Sequence, residues 1–352
     1  MTKKLMVVAG GTGGHIFPGI AVAEYLKQQG WQVVWLGTAD RMEAQVVPKH
    51  DIAIRFIEVK GVRGNGLKRL FVAPFMVLKA IWQARKVMQQ ERPDVLLGMG
   101  GYVTGPAGIA AKSLGIPLIV HEQNAVAGLS NKLLAKMANK VCAAFPSAFE
   151  DGVATLVGNP VRRSVSAIGH QFESEHCKIL VVGGSLGASA LNEQLPAVFA
   201  ELQQVKPLSI WHQTGKGQLG GVTEQYNKLA LEAKVEQFID DIDLAYAWAD
   251  IVVCRAGALT VSEIAAAGKM ALFIPFPHAV DDHQTANAGY LVDNQAALLL
   301  QQRDMETGVL VNMLRPYVEN NELISEMAVR AKALAKLDAT EQVANFCQQL
   351  SH

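Results

Sequence analysis

Short runs of Val, Ile and Leu alternate along the chain with longer amphipathic stretches. Strands buried on both faces read as continuous apolar runs, and crossover helices as one-sided apolar stripes, so the pattern predicts an α/β protein. In the first half strands are predicted near Leu5–Ala9, Gln32–Leu36, Ile54–Val59, Val95–Met99, Pro117–His121 and Val141–Ala143. In the second they fall near Lys178–Val182, Leu208–Gln213, Val235–Ile239, Ile251–Cys254 and Ala271–Ile274. Right-handed crossovers then give two parallel sheets. The first strand of each half runs into a glycine-rich turn, Gly10-Gly11-Thr12-Gly13-Gly14-His15 and Gly183-Gly184-Ser185-Leu186-Gly187-Ala188. Two such units predict two Rossmann-like domains with their parallel sheets facing across a cleft. Glycine lets backbone N–H groups approach a ligand, and the helix that follows favours negative charge, so part of the expected ligand is anionic.

The polar, aperiodic segment from Ser166 to His176 places the join after Gly158-Asn159-Pro160-Val161-Arg162-Arg163. The predicted domains are 1–163 and 164–352, with a hinge that lets the cleft open and close. Glu322 to Gln349 reads as helix, with Ala328, Ala331, Leu334 and Leu337 along one side. It is counted with the second domain, and a return to the first is left open.

At 352 residues each domain can bury its own core. Lys plus Arg (32) equal Asp plus Glu (32), which argues against a general nucleic-acid binder. Cys142, Cys177, Cys254 and Cys347 are scattered with no CxxC pair, suggesting neither a zinc site nor a disulfide framework and fitting a reducing compartment. The start, Met1-Thr2-Lys3-Lys4 and then an apolar run, is broken by glycine too soon for a signal peptide. Nowhere does an apolar stretch reach the ~20 residues of a spanning helix. The expectation is a soluble or peripheral cytoplasmic protein.

The first glycine turn fails as a dinucleotide fingerprint, because Ile16 takes the third glycine position and the second strand ends in Gly37-Thr38 rather than an acid. It is no P-loop either, since no Lys-Ser/Thr follows, and Gly215-Lys216-Gly217 fails likewise. What lifts it above a plain tight turn is His15, an imidazole at the carboxyl end of a strand. Gly100-Gly101-Tyr102-Val103-Thr104-Gly105-Pro106 and His121-Glu122-Gln123-Asn124 follow two other strands, and their polar groups are expected to converge near His15. Ala125 stands where HExxH requires its second histidine, which excludes that metalloprotease motif. His121 and Glu122 read equally as ligand contacts or as a satisfied buried pair.

In the second half Arg255-Ala256-Gly257-Ala258-Leu259-Thr260-Val261-Ser262-Glu263 follows a strand and opens a helix. Its N–H groups and Arg255 suit a diphosphate, and the Glu263 carboxylate suits a ribose cis-diol, though an acid near a helix start is also a common stabilising device. Asp281-Asp282-His283-Gln284 adds donors and acceptors suited to sugar hydroxyls. Asp241-Ile242-Asp243 matches the DxD of metal-dependent sugar transferases, but its place before an apolar helical stretch fits N-capping better. No metal ligand is assigned.

Between Lys60 and Arg92 lie eight basic residues (Lys60, Arg63, Lys68, Arg69, Lys79, Arg85, Lys86, Arg92) and one acid, Glu91. Pro74 is read as the start of a helix there, with Val77, Ile81, Ala84 and Met88 as a core stripe. Phe75, Leu78 and Trp82 form a second stripe beside Lys79, Arg85 and Lys86, which suits insertion among anionic headgroups. The other reading packs Phe75 and Trp82 under the Gly61–Gly66 loop.

Gly10–Pro18, Gly100–Pro106, His121–Asn124, Gly183–Ala188, Arg255–Glu263 and His283-Gln284 occur in the order seen in the MurG family, which the chain resembles over essentially its whole length. Its members add N-acetylglucosamine to the lipid-linked muramyl-pentapeptide precursor of bacterial peptidoglycan. The resemblance implies the glycosyltransferase B fold, UDP-N-acetylglucosamine as donor, undecaprenyl-diphosphate-linked muramyl-pentapeptide (lipid I) as acceptor, and inversion to a β-1,4 link giving lipid II. It implies donor contacts from Thr12, Gly13, Gly14, Asn124, Arg162, Ser185, Ile239, Ala258, Leu259, Thr260, Val261, Ser262, Glu263 and Gln284, with His283 beside them. Uracil is expected against the Ile239 backbone and the ribose at Glu263. His15 is the candidate general base, with a water held by Glu122 or Asn124 as the other choice; Arg255, Ser185 and the helix starting near Ala258 would carry the leaving charge. No cofactor is obligatory on this reading. It implies a peripheral enzyme on the cytoplasmic face of the inner membrane, with an anionic membrane surface and cell-wall synthesis and division proteins as further partners and no nucleic acid. Ala256, Leu186 and Met270 depart from the family's usual Ser, Gln and Pro. Competing readings are another lipid glycosyltransferase, a UDP-N-acetylglucosamine 2-epimerase and a noncatalytic sugar-nucleotide-binding subunit, with a dehydrogenase as the outsider.

Overall fold

In the computed structural model the chain forms two compact units, Met1–Arg162 with Lys336–His352, and Arg163–Ala335. The structure describes residues 2–59, 66–169, 175–184 and 187–351, and of 66–73 the backbone only. Each unit is built on one parallel sheet. The first comprises β1 (Lys4–Ala9), β2 (Gln32–Gly37), β3 (Ala53–Phe56), β4 (Val95–Gly100), β5 (Leu118–Glu122), β6 (Lys140–Ala143) and β7 (Thr155–Leu156), in the order β3-β2-β1-β4-β5-β6-β7. The second comprises β8 (Cys177–Val182), β9 (Leu208–Gln213), β10 (Ala233–Glu236), β11 (Ile251–Cys254), β12 (Met270–Phe273) and β13 (Leu298–Leu299), in the order β10-β9-β8-β11-β12-β13.

The apolar runs are strands because helices cover both faces of each sheet. Along β1, Leu5, Val7 and Ala9 face one core with Ile20, Ala23 and Leu26 of the helix Gly13–Gln28, and with Val343, Ala344 and Cys347 of the last helix, Ala339–Leu350. Met6 and Val8 point the other way, into a core with Ala84 and Met88 of the helix Gly66–Glu91 and with Ala107, Ala110 and Ala111 of the helix Thr104–Ser113. Successive side chains of a strand alternate between faces, so a run with no polar position requires this two-sided cover. In the second unit Ile179, Val181, Ile251 and Val253 anchor an equivalent core against Leu191, Leu195 and Phe199.

In each sheet the order reverses beside the first strand, between β1 and β4 and between β8 and β11. Ligands of open α/β sheets bind outside the carboxyl ends of strands at such switch points. The register runs Val7↔Leu97 and Val8↔Gly98, then shifts to Ala9↔Gly100. That irregularity falls where both strands run into glycine turns.

Three expectations change. The helix around Pro74 begins by Gly66, with the proline inside it. The C-terminal stretch forms two helices, Asn321–Ala333 and Ala339–Leu350, and residues from Lys336 onward belong to the first unit rather than the second. β10 ends at Glu236, so Ile239 lies beyond the strand. The Lys60–Asn65 part of the basic segment and residues 170–174 of the polar segment lie outside the described residues.

Candidate functional site

At the β1/β4 switch point, Thr12 is the N-cap of the helix Gly13–Gln28, and its carbonyl accepts the N–H groups of His15 (3.1 Å) and Ile16 (3.3 Å). His15 therefore rides the first helical turn. Its Nδ1 lies 2.7 Å from Oε1 of Gln123, which follows the end of β5. Gln123 Nε2 lies 3.1 Å from the His121 carbonyl and 3.0 Å from His121 Nδ1, and His121 Nε2 lies 2.9 Å from the Gly158 carbonyl. His121 and Gln123 are buried, and His15 is half-buried. Burial lowers the His121 pKa to about 4, because the charged form would lose its hydration, so the ring is neutral near neutral pH. His121 is thus a satisfied core histidine, the second of its two sequence readings.

Glycines make room for this arrangement. A Cβ on Gly100 (φ +110°) would lie 2.8 Å from His15 Nδ1, and one on Gly101 (φ +84°) would lie 2.2 Å from the Gly10 carbonyl oxygen. Both the space and the backbone conformation exclude a larger residue. Thr104 Oγ1 ties the loop down, contacting the Gly100 carbonyl at 2.7 Å and accepting the Gly100 N–H at 3.1 Å. The expected convergence on His15 holds for Gly100 and Gln123, whereas Tyr102 is exposed.

Glu122 is committed to the loop that follows it. Its Oε1 accepts from the Asn124 N–H (2.9 Å) and Nδ2 (3.2 Å), and its Oε2 from the Gly128 N–H (3.0 Å) and Asn131 Nδ2 (2.9 Å). Four donors match the acceptor capacity of a carboxylate, so this group shapes the loop and places Asn124 rather than holding a basic water. Arg162 closes the first unit, its guanidinium carbon 5.9 Å from the Phe17 ring centroid.

Glu43, which sequence reasoning passed over, is fully buried. It accepts the Gly11 N–H at 3.1 Å, and the Thr38 N–H (2.9 Å) and Oγ1 (2.7 Å). The acid missing from the end of β2 thus arrives six residues later and takes one donor of the first glycine turn for the protein itself. Its signal in the sequence is a lone glutamate in a short helix, Met42–Val46, which periodicity cannot tell from a solvated one.

In the second unit Gly257 is the N-cap of the helix Ala258–Ala267. The first N–H groups of a helix have no intrahelical acceptor, and Leu259 and Thr260 stand there partly exposed. Val261 is buried with its N–H on the Gly257 carbonyl (2.9 Å), and Ser262 Oγ donates to the Ala258 carbonyl (3.0 Å). Glu263, 6% exposed, accepts from the Tyr246 hydroxyl at 3.2 Å, a partner no local motif announced. Arg255 donates through Nη1 to the Ile274 and Pro275 carbonyls (3.1 Å each) and through Nη2 to Gln302 Oε1 (2.6 Å). Two of these contacts hold the chain just after β12 and the third ties it to Gln302 beyond β13, and burial lowers the Arg255 pKa.

Gln284 Oε1 accepts the Phe276 N–H (2.8 Å), and His283 Nδ1 donates to the Val280 carbonyl (2.7 Å). The preceding Asp281 and Asp282 both have positive φ (54° and 49°), a costly conformation for non-glycine residues that clusters at functional loops. Ile239 is buried, and Ser185 lies outside the described residues. The second glycine turn is braced by Gln213 Nε2 on the Gly184 carbonyl (2.8 Å). Beneath it Asn192 joins the Thr214 carbonyl to buried His212, whose pKa burial lowers to about 3. Asp241 is the N-cap of the helix Ile242–Trp248, but through its carbonyl, which accepts the Ala245 N–H; the expected side-chain cap is not made. Among the described residues no group of three or more His, Cys, Asp and Glu is placed to hold a metal ion.

Residues 5–143 match the glycosyltransferase family 28 N-terminal domain and residues 178–343 its C-terminal domain. The chain is 66% identical over 355 residues, covering 100% of itself and 99% of the relative, to a Pseudoalteromonas translucida UDP-N-acetylglucosamine--N-acetylmuramyl-(pentapeptide) pyrophosphoryl-undecaprenol N-acetylglucosamine transferase. A crystal structure of Acinetobacter baumannii MurG superposes with a TM-score of 0.85 at 43% identity, covering 99% of each chain. A Neisseria meningitidis UDP-GlcNAc 2-epimerase bound to UDP-GlcNAc shares the fold alone, with a TM-score of 0.67 at 14% identity over 98% of this chain and 100% of that one. With both of its domains matched in order and relatives aligned end to end, the chain belongs to glycosyltransferase family 28 and has the glycosyltransferase B fold of two parallel-sheet α/β domains.

Proposed function

We propose that this chain transfers N-acetylglucosamine from UDP-N-acetylglucosamine to the C4 hydroxyl of undecaprenyl-diphosphate-linked muramyl-pentapeptide, a step of peptidoglycan synthesis. The observation that carries this reading is the 66% identity, over the full length of both chains, to a transferase of that name. The 2-epimerase reading rests on fold alone, at 14% identity, and is not favoured.

In the reaction the acceptor oxygen bonds to the anomeric carbon as the bond from that carbon to the UDP oxygen breaks, and the acceptor hydroxyl loses its proton. His15 takes this proton. The leaving diphosphate keeps the electron pair, and the N-terminal N–H groups of the helix Ala258–Ala267, with the charge of Arg255, favour it without an obligatory cation. The Gly183–Ala188 turn, Ser185 included, serves the same charge. Glu263 accepts from the ribose hydroxyls, with Tyr246 steadying the carboxylate. Ile239, Thr12, Gly13, Gly14, Asn124, Arg162, Leu259, Thr260 and Gln284 complete the donor contacts, with His283 at the sugar.

Among the described residues no helix is long and apolar enough to cross a membrane. The lipid-linked acceptor is reached instead from a surface on the helix Gly66–Glu91, where Phe75, Leu78 and Trp82 are 73%, 62% and 63% exposed. Lys86 lies 5.7 Å from the Trp82 ring centroid, whereas Lys79 bridges Glu58 (2.7 Å) and Arg85 holds Ser113. On this reading the enzyme works as a peripheral protein at the cytoplasmic face of the inner membrane, and the exposed apolar side chains of this helix support it.

Purified protein with labelled UDP-N-acetylglucosamine and a lipid I analogue is expected to yield labelled lipid product and UDP in equal amounts. Release of the free 2-epimer, or binding without turnover, would overturn the reading.

A further inference from the structure

We propose that Gln123 is a positioning residue that holds His15 in the Nδ1–H tautomer, leaving Nε2 as the proton acceptor, through a hydrogen-bond relay running from His15 to Gln123, His121 and the Gly158 carbonyl. The inference rests on the reading of His15 as the base.

The direction of the relay follows from two backbone carbonyls, which can only accept. The Gly158 carbonyl, 2.9 Å from His121 Nε2, requires a proton on that nitrogen. A neutral imidazole carries one N–H, so His121 Nδ1 is an acceptor, and it meets Gln123 Nε2 at 3.0 Å. The His121 carbonyl, 3.1 Å from the same Gln123 nitrogen, independently identifies that end of the side chain as the NH2 group. The far end is therefore the carbonyl oxygen Oε1, and 2.7 Å away His15 Nδ1 must donate to it. One proton remains to place on a neutral His15, and it is already placed.

Nothing in the relay is interchangeable. The burial that holds the His121 pKa near 4 keeps that ring from taking a second proton, which would turn its Nδ1 into a donor facing the Gln123 NH2 group. When His15 takes a proton at Nε2, its bond to Gln123 survives and becomes charge-assisted, so no hydrogen bond is broken at that step. Gly100 belongs to the same device, because a Cβ there would meet both His15 Nδ1 (2.8 Å) and Gln123 Oε1 (3.4 Å). A histidine base in the wrong tautomer can lose up to about 10⁴ in turnover, as in serine-protease triads.

The test is ¹⁵N-imidazole NMR of the full chain at pH 8, with the His15 signals assigned by their loss in His15→Asn, alongside steady-state kinetics. Wild type is expected to show His15 protonated at Nδ1 and bare at Nε2; the opposite pattern would overturn the proposal without any variant. In Gln123→Leu the ring is expected to shift toward the Nε2–H form and kcat to fall by about tenfold or more, with the donor KM within about twofold. An unchanged tautomer in Gln123→Leu would overturn the relay. A shifted tautomer with unchanged kcat would leave the relay standing but remove His15 from the base role, and with it Gln123 from the reaction.

Discussion

The two residues with the sharpest proposed roles should fail in opposite ways. His15→Ala is expected to lower kcat by about 10²–10⁴ while UDP binds as in wild type, since a base acts on the acceptor's proton and not on the nucleotide. Glu263→Ala should raise the donor KM about tenfold or more with a smaller effect on kcat, the loss of charge-assisted bonds made before and during reaction alike. Steady-state kinetics with a UDP titration separates the two, and matching profiles would merge roles assigned here to different units. The buried histidines give a pH signature. An ordinary histidine titrates at 6.5, but His121 is held to about 4 and His212 to about 3. Between those values and 6.5 the unfolded chain binds protons that the folded chain refuses. Stability is therefore complete above 6.5 and is lost as pH falls toward the folded values, by about 2 kcal/mol for each group at pH 5. Urea unfolding at pH 7.5 and 5 checks this, and equal midpoints would mean that neither ring is held neutral. The positions of His15 and Glu263 were legible because each stands in a strand–glycine–helix motif, and the strand-end loop brought Gln123 near His15. The bond from Gln123 to His15 Nδ1 and the one from Glu43 to the Gly11 N–H were not legible, because the partners lie 108 and 32 residues apart in sequence.

At the scale of elements, a strand covered on both faces announces itself by composition, and β1, β4, β8 and β11, which carry the site loops, fall where the apolar runs put them. β7 and β13 are two-residue edge strands, too short for any periodicity. Pro74 misled because proline favours a first helical turn, yet a long helix can carry one inside and forgo one backbone hydrogen bond. The break after Ala333 was invisible for the converse reason: Leu334-Ala335-Lys336-Leu337 are good helix formers. What stops the helix is tertiary. Lys336 lies against Gly158, where a Cβ would come within 2.2 Å of the lysine Cβ, and the chain then enters the first unit with Val343 and Cys347 in its core. Gly158 also supplies the carbonyl that ends the His15 relay, so the returning segment rests on the relay's anchor.

For the molecule as a whole, a formal net charge of zero conceals an uneven surface. The helix Gly66–Glu91 buries Ala80, Ala84 and Met88 against the first unit, while Phe75, Leu78 and Trp82 stand on its outer side. The expected core stripe is correct at Ala84 and Met88, partly so at Ile81, and fails at Val77, which is exposed. Beyond the helix Thr104–Ser113, the short helix Leu129–Ala135 adds exposed Leu129 and Leu133 beside Lys132. Side chains of this kind are stable in water only at a cost, and covering one large apolar side chain recovers about 1.5–3 kcal/mol. Vesicles with anionic lipid should therefore co-sediment the wild-type chain, and binding should weaken as salt screens the lysines and arginines. Phe75→Ser/Trp82→Ser removes two of the apolar anchors and no charge, so it should reduce binding at least about tenfold at every salt concentration while keeping the salt dependence. Activity toward a water-soluble acceptor analogue should be unaffected, which separates docking from chemistry. If the folded double variant bound vesicles as tightly as wild type, the anchor would have to lie on another face, and the exposed aromatics would need a different partner.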